Sequence, residues 1–353
     1  MRVICAAGAR PNFMKVKPVI DALERRGVDT ILVHAGQHYD SEMSQVFFDD
    51  LGLRPPDRWL GVGSGSHAEQ TARVLTAFDP LVAEIDPDIV VVVGDVNATL
   101  GCALVAAKSA CSLAHVEAGL RSFDWSMPEE VNRVVTDRVS DLLFAPSADA
   151  VENLRAEGVP EHRVHLVGNV MVDTLRSNLD RAMARPILAD LGLVAGAYGL
   201  VTLHRPASVD DPLILSRIVE ALGVVAAEIP LVFPVHPRTR TKLADITIPA
   251  GLRSIPPAGY LDFLALEAGA RVAITDSGGV QEETTVLGVP CLTVRNSTER
   301  PITVSEGTNT IVGLEPERLV AAARRALAGG AVPRTPAWWD GHAANRIADV
   351  LVG

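Results

Sequence analysis

Five short apolar runs in this chain end abruptly in polar residues able to do chemistry. They are Val91-Val92-Val93 before Gly94-Asp95, Leu113-Ala114-His115-Val116 before Glu117, Leu200-Val201-Thr202-Leu203 before His204, Leu231-Val232-Phe233-Pro234-Val235 before His236, and Val272-Ala273-Ile274-Thr275 before Asp276-Ser277-Gly278-Gly279. Strands buried on both faces of a parallel sheet read as continuous apolar runs. Ligands of open α/β sheets gather outside the carboxyl ends of such strands. The first two runs deliver carboxylates, the next two histidines, and the last a glycine-rich turn. The pattern predicts an α/β chain whose two halves face one cleft.

A length of 353 residues exceeds what one core normally serves, so two domains are expected. Apolar runs at 2–7, 30–34, 89–93, 112–116, 142–145 and 164–167 alternate with helix-length segments at 15–26, 67–85, 97–109, 128–139 and 147–157. Such alternation signals βαβ units. Pro18 suits the first turn of a helix, Gly27 a helix end after Arg25-Arg26, and Ser147 the position before a helix. After a mostly helical stretch the strand rhythm restarts at 199–204 and continues near 231–235, 252–255, 271–274 and 290–294. These signals predict an N-terminal Rossmann-like domain over 1–170 and a second over 171–335. A closing helix within 336–353 is expected to return to the first domain.

A formal net charge of -11 argues against a nucleic-acid partner, which normally meets a basic field. It permits an anionic ligand, because a local arginine or a helix terminus can reverse the potential inside a cleft. Cys5, Cys102, Cys111 and Cys291 are scattered with no CxxC pair, which predicts free thiols in a reducing, cytoplasmic compartment. No apolar stretch has the length of a membrane span, so no membrane insertion is expected. The opening Met1–Gly8 is too brief for a secretory apolar region and reads as a first strand.

Ser277, Gly278 and Gly279 follow a strand and open a helix that Gly288 can end. Free N–H groups at such a helix start accept phosphate, and the glycines let a bulky anion approach the backbone. The competing reading is a turn serving packing alone. Asn296-Ser297-Thr298-Glu299-Arg300-Pro301 could add Arg300 and hydroxyls to the same rim. Glu283, a turn beyond Gly279, could accept hydrogen bonds from a ribose diol, or could simply favour the helix dipole. No GxxxxGKS/T loop occurs, so kinase-type phosphate handling has no support. Gly8-Ala9-Arg10-Pro11-Asn12-Phe13-Met14-Lys15 is not a GxGxxG turn either, but it carries Arg10 and Lys15 as neighbours for a diphosphate.

Asp95 and Glu117 can enter one cavity if their strands are adjacent. Glu129 and Arg133 are four apart and share a helical face, as an acid with its partner or as a structural ion pair. Nearby carboxylates can divide acid and base duties because like charge and burial separate their pKa values. His204 and His236 could each bind phosphate or shuttle a proton. His34 and His38 lack the glutamate and helix of an HExxH site, so no metal is expected there. No GxSxG elbow marks a serine hydrolase.

At these residues the chain resembles the non-hydrolysing UDP-N-acetylglucosamine 2-epimerases over essentially its full length. The resemblance is carried by Gly8-Ala9-Arg10-Pro11, Gly36-Gln37-His38, Gly94-Asp95, His115-Val116-Glu117-Ala118-Gly119-Leu120-Arg121, Pro128-Glu129-Glu130-Val131-Asn132-Arg133, Thr275–Glu283 and Thr298-Glu299-Arg300-Pro301. It implies two Rossmann-like domains in a GT-B arrangement with an interdomain cleft, the nucleotide held mainly by the second. It assigns Asp95, Glu117 and Glu129 to the reacting sugar, and His204, Arg10 and Lys15 to the diphosphate. Ser277, Gly278 and Gly279 would bind phosphate, Glu283 the ribose, Arg300 the rim and Phe263 the uracil. Gln37, Arg133 and His236 complete the implied substrate-binding set.

The implied reaction eliminates UDP between C1 and C2, leaves bound 2-acetamidoglucal, and adds UDP back as C2 is protonated on the opposite face. It needs no cofactor and no metal. A UDP-sugar substrate and a homodimeric state are also implied. The segment His204-Arg205-Pro206-Ala207-Ser208-Val209-Asp210 departs from many members, which carry an acidic residue where Ala207-Ser208 stand. That leaves open a 2,3-diacetamido uronic-acid sugar as substrate. A GT-B glycosyltransferase, a hydrolysing epimerase and a non-catalytic sugar-nucleotide sensor are the remaining alternatives.

Overall fold

The structure, a computed structural model, describes residues 1–36, 48–329 and 334–353, with the Arg10 side chain also outside the description. It divides into two compact units, Met1–Arg176 with Ala337–Gly353, and Ser177–Pro336. The first holds seven strands: β1 (Arg2–Ala7), β2 (Asp29–His34), β3 (Arg58–Trp59), β4 (Ile89–Val93), β5 (Ser112–Val116), β6 (Leu142–Ala145) and β7 (Val164–Leu166). They form one parallel sheet in the order β3-β2-β1-β4-β5-β6-β7. Its helices are α1 (Arg10–Glu24), α2 (His67–Ile85), α3 (Asn97–Ala106), α4 (Pro128–Val139), α5 (Ala148–Ala156), α6 (Val170–Met183, which runs across the division), and the tail helix, Ala343–Val352.

The second unit holds β8 (Gly199–Thr202), β9 (Leu231–Pro234), β10 (Leu252–Ile255), β11 (Val272–Thr275), β12 (Cys291–Thr293) and β13 (Asn309–Ile311), parallel in the order β10-β9-β8-β11-β12-β13. Its helices include α7 (Ile187–Asp190), α8 (Pro206–Val209), α9 (Pro212–Ala226), α10 (Pro237–Lys242), α11 (Tyr260–Ala268), α12 (Gly278–Leu287), α13 (Ile302–Ser305) and α14 (Pro316–Ala328). The tail helix is α15. Two parallel α/β sheets with flanking helices are consistent with a two-domain Rossmann or GT-B-like chain. Each strand order reverses once, between β1 and β4 and between β8 and β11, which is where open sheets collect ligands.

The apolar runs form strands because every residue of β4, β9 and β11 is buried. No alternation of polar and apolar residues is possible on a strand covered on both faces. Three elements had no such signal. β3 has two residues, both exposed, while β13 and α11 are short and were not expected from the sequence.

The first helix corrects the sequence reading. It begins at Arg10 rather than 15, with Pro11 in its first turn, and Pro18 lies inside it. A proline in a helix interior donates no hydrogen bond to the carbonyl four residues back. That carbonyl, Met14 O, instead accepts the Thr174 hydroxyl at 2.5 Å. The lost bond is replaced from α6, so the helix continues through the proline.

The tail is shorter as a helix than expected, because Trp338 and Gly341 take positive φ and only residues from Ala343 onward are helical. Asp173 accepts the first amides of α15, Ala343 N at 3.2 Å and Ala344 N at 2.9 Å. The buried Trp339 indole donates to Pro146 O at 3.0 Å. Gly168 admits this segment, since a Cβ there would lie 2.1 Å from Trp338 O. Among the described residues no helix is long and apolar enough to cross a membrane.

Trp339→Ala should therefore cost about 3 kcal/mol of stability, measured as a fall in the urea midpoint. Trp339→Phe should lose less, because it keeps most of the buried apolar area and forfeits only the indole bond.

Candidate active site

In the first unit, β4 and β5 pair with Val93 beside Val116, so Gly94-Asp95 and Glu117 emerge at neighbouring strand ends. Glu117 has φ 76°, a left-handed backbone unusual for a residue with a side chain. Its amide and that of Ala118 both donate to Phe144 O at 3.1 Å, which holds the turn in place. The Glu117 carboxylate is buried and forms an ion pair with Lys15 of α1, also buried. Gly94 leaves room for this meeting: a Cβ there would sit 2.9 Å from Asn12 Nδ2 and 3.2 Å from Lys15 Nζ.

Asp95 is half-buried and forms an ion pair with the buried Arg133 of α4. Arg133 also bonds Glu130 through Nε at 3.0 Å and Nη2 at 2.7 Å. Burial would raise the Glu130 pKa, but the Ser122 and Phe123 amides and the Arg133 charge outweigh it and hold the carboxyl below its ordinary value. Glu130 thus anchors the arginine, for which the sequence reading had offered Glu129 as partner. Glu129, one position earlier, is half-buried and lines a cavity of about 210 Å³.

Behind these acids lies His115, fully buried on β5. Its Nδ1 is 2.6 Å from Asp137 Oδ1 and its Nε2 is 2.9 Å from Gly94 O. Both ring nitrogens are thus within hydrogen-bond reach of a neighbouring oxygen. Arg121 adds a cation at 2.8 Å from Asp137. Burial opposes the Asp137 charge, yet His115 and Arg121 keep its pKa below the usual range. His115 therefore fixes the Gly94 turn that presents Asp95.

In the second unit, Thr275 pairs with Thr202 in register, which sets Asp276 beside His204. Asp276 is fully buried and accepts from His204 N at 2.9 Å and Arg205 N at 2.8 Å. Its Oδ1 is 3.0 Å from His204 Nδ1, so the ring is oriented through that nitrogen. Burial opposes ionisation of Asp276, but His204 and the two amides hold its pKa low. The His236 ring lies 5.8 Å from that of His204, and its Nδ1 accepts from Arg238 N at 3.2 Å.

Ser277 is the residue before α12, with no side-chain cap on the helix start. Gly278 leaves room for these side chains, because a Cβ would lie 2.6 Å from Arg300 Nη1 and 2.8 Å from Glu299 Oε1. Arg300 is buried between Glu282 at 2.7 Å and Glu299 at 2.6 Å. Glu299 also meets Arg295 at 2.8 Å and Arg205 at 3.8 Å. Burial raises its pKa, but the arginines drive it well below the ordinary carboxylate range. Gln281 ties the 298–300 loop to α12, accepting from Thr298 Oγ1 at 2.6 Å and Asn309 Nδ2 at 3.0 Å. A helix start with uncapped amides and a neighbouring arginine cluster suits an oxyanion.

Glu283 is buried further along α12, where the Tyr260 hydroxyl donates to it at 3.4 Å. Burial pushes its pKa from 4.5 up to about 7, reinforced by Glu282 and opposed by Glu267 and Tyr260. Glu267 on α11 is fully buried and its pKa lies well above 4.5, first through burial and then through Glu283. Its oxygens find no donor in ordinary bonding. Two carboxylates are both acceptors, so a bond between them forms only when one carries a proton. Phe263 is half-buried and packs on the apolar cluster around Tyr198 and Leu266.

The structure thus brings Lys15, Asp95, Glu117, Glu129 and Arg133 together in the first unit. His204, His236, Ser277, Gly278, Gly279, Glu283 and Arg300 fall in the second. Gln37 and His38 lie outside the described residues, as does the Arg10 side chain, although Arg10 itself opens α1. His34 stacks on Trp59 at 4.5 Å. Among the described residues no three of His, Cys, Asp and Glu gather as a metal site. His115, Glu130, Asp137, Asp276, Glu282 and Glu299 were not among the expected site residues. Their one sequence signal was position: each but Asp137, a helical turn beyond Arg133, falls in a motif that supplied an expected residue.

The family model described as UDP-N-acetylglucosamine 2-epimerase matches residues 21–352. A UDP-N-acetylglucosamine 2-epimerase of Methanocaldococcus jannaschii is 41% identical, with 99% of each chain covered. A UDP-2,3-diacetamido-2,3-dideoxy-D-glucuronate 2-epimerase of Pseudomonas aeruginosa is 39% identical, again with 99% of each covered. The crystal structure of the Methanocaldococcus jannaschii UDP-GlcNAc 2-epimerase in complex with UDP-GlcNAc and UDP superposes with a TM-score of 0.93, covering 100% of this chain and 99% of that one.

The buried pair on α11 and α12 has a measurable signature. An acid with a raised folded-state pKa keeps its proton when folded after the unfolded chain has lost it. Its contribution to stability is therefore whole below the unfolded value and lost as pH rises. For Glu283 that window runs from 4.5 to about 7. Asp137, Asp276 and Glu299 act in the opposite direction, losing stability as pH falls. Comparison with a variant isolates the first effect: Glu267→Gln should lessen the fall in thermal midpoint on going from acidic to neutral pH. Parallel profiles for the two proteins would contradict the assignment.

Proposed function

This chain belongs to the UDP-N-acetylglucosamine 2-epimerase family, and we propose a working mechanism for its non-hydrolysing epimerisation of UDP-GlcNAc to UDP-ManNAc through UDP release. The hydrogen on C2 has no adjacent carbonyl to acidify it, so its direct removal and return is a difficult route. Elimination avoids that. The C1–O bond to UDP breaks as the C2 proton passes to a carboxylate, which leaves a C1–C2 double bond in 2-acetamidoglucal. UDP then re-forms the bond at C1 as C2 takes a proton on its other face.

Asp95, Glu117 and Glu129 carry the proton transfers in this reading. The observation that carries it is the placement of Asp95 and Glu117 at the ends of adjacent strands, each with its own cation, Arg133 and Lys15. A charged partner holds a carboxylate in a defined position while charge moves on the substrate. In the second unit, His204 oriented by Asp276, the start of α12 and Arg300 support binding of the diphosphate. Glu283, with Tyr260 beside it, takes the ribose hydroxyls, and Phe263 the uracil. Arg10, Gln37 and His236 are carried over as further substrate contacts. The family also implies a homodimer, which sedimentation velocity would reveal as twice the 37.5 kDa chain mass.

A second sugar stays in contention. The Pseudomonas aeruginosa relative named for UDP-2,3-diacetamido-2,3-dideoxy-D-glucuronate is nearly as similar as the Methanocaldococcus jannaschii protein named for UDP-N-acetylglucosamine. The ratio of kcat/KM on the two substrates decides between them.

Incubation with UDP-GlcNAc in deuterated water should give both epimers carrying deuterium at C2, with no build-up of free sugar. Asp95→Asn or Glu117→Gln should slow that exchange by about 100-fold or more while UDP still binds. Release of free N-acetylmannosamine would point to hydrolysis, and a parallel loss of UDP binding would assign these acids a structural role.

A further inference from the structure

Glu267 is a buried acid to which the epimerisation gives no task. It lies in the last turn of α11, fully buried, and neither of its oxygens has an ordinary hydrogen-bond donor. Tyr260 stands seven residues earlier, two helical turns away, so the two side chains share one face of α11. That face meets α12, because the Tyr260 hydroxyl donates to Glu283 at 3.4 Å. The end of α11 is fixed from behind. Tyr198 Oη donates to Leu266 O at 2.5 Å, and Gly269 leaves it room, since a Cβ there would lie 2.7 Å from that oxygen. Packed helices thus hold the Glu267 and Glu283 carboxyls within hydrogen-bond reach of each other.

Three effects oppose a negative charge on Glu267. Burial strips its hydration, the carbonyl end of α11 presents negative partial charge, and Glu283 adds a like charge. One proton on Glu267 relieves all three, and its pKa lies well above 4.5, through burial first and Glu283 next. The other titratable neighbours leave that proton in place. Tyr260 is a neutral phenol, burial pushes the Cys291 thiol up to about 12, and Glu282 pairs with Arg300 at 2.7 Å.

We propose, on the reading that Glu283 takes the ribose hydroxyls, that Glu267 is a positioning residue for nucleotide binding, its carboxyl proton donated to Glu283. An ionised carboxylate has about four acceptor sites. Tyr260 and Glu267 occupy two of them, which locks the group and leaves two for the neighbouring 2′- and 3′-hydroxyls. A lysine or arginine in the place of Glu267 would pair off the charge of Glu283. A neutral carboxyl orients the group and leaves its charge to the ribose. The arrangement selects ribonucleotides, because a 2′-deoxy analogue leaves a buried acceptor without its donor.

The test compares binding of UDP and 2′-deoxy-UDP by calorimetry at pH values below and above about 7, where Glu283 loses its proton. The two ligands share base and diphosphate, so titration of the phosphates and of His204 cancels in the ratio of their Kd values. The unaltered protein should favour UDP, and more so at the higher pH, because ionised Glu283 is the better acceptor. Glu267→Leu, similar in size but without a donor, should reduce that preference about fivefold, the value of one neutral hydrogen bond. Glu267→Met serves as the donor-free variant where leucine does not fold. Glu267→Gln, whose amide keeps an N–H for Glu283, should restore the preference. A glutamine variant as impaired as the donor-free one, or a donor-free variant with undiminished preference, would overturn the role of Glu267 alone. Equal binding of UDP and 2′-deoxy-UDP by the unaltered protein would overturn the ribose role of Glu283 and this inference with it.

Discussion

Lys15 and Glu117 stand 102 residues apart in sequence, and both side chains are buried where they meet. Removing one member of a buried pair costs about 3–5 kcal/mol, because the other charge remains without water or partner. The pair therefore ties the start of α1 to the end of β5. It also explains the left-handed backbone at Glu117, since a residue bearing a side chain adopts that conformation only when its surroundings over-determine it. The Phe144 carbonyl and the Lys15 ammonium supply those constraints from opposite sides. Asp95 stands on the neighbouring turn, after β4, where His115 Nε2 lies 2.9 Å from Gly94 O.

The second unit solves a different electrostatic problem. The proposed diphosphate site needs positive potential, yet the whole chain is acidic, with a net charge of -11. The field is local. Arg205, Arg295 and Arg300 gather around Glu299 and Glu282 next to the start of α12. Buried glutamates here keep the arginines folded against the helix, and Gly278 provides the space for Arg300 to do so. Oriented amides and fixed guanidiniums need little reorganisation when charge grows on a leaving group.

Much of this was legible in the residues. A strand buried on both faces must be apolar throughout, so Ile89–Val93 and Val272–Thr275 announced themselves, and the polar residue that follows each marks a strand end. Asp95, Glu117, His204 and Ser277 could be picked out for that reason. Arg10–Glu24 was harder. Pro18 carries a strong helix-start signal, and nothing local reveals that Thr174 supplies the bond its ring removes. β3 and β13 are short enough that pairing with a neighbour, rather than composition, makes them strands.

Charge partners were the least legible feature. Glu129 and Arg133 have ideal helical spacing, but spacing along one helix says nothing about Asp95, which reaches Arg133 from the end of β4. Asp137, Asp276 and Glu267 read as ordinary acidic residues until burial shows what each must be paired with. The sequence by itself determined the strand runs, the turn residues at their ends and the chemistry each turn could offer. Those are local matters of hydrophobic pattern and backbone freedom. Tertiary structure alone decided which carboxylate meets which cation and which acid stays protonated. Both depend on distance and on exclusion of water, and neither distance nor dryness is encoded by any short stretch of chain.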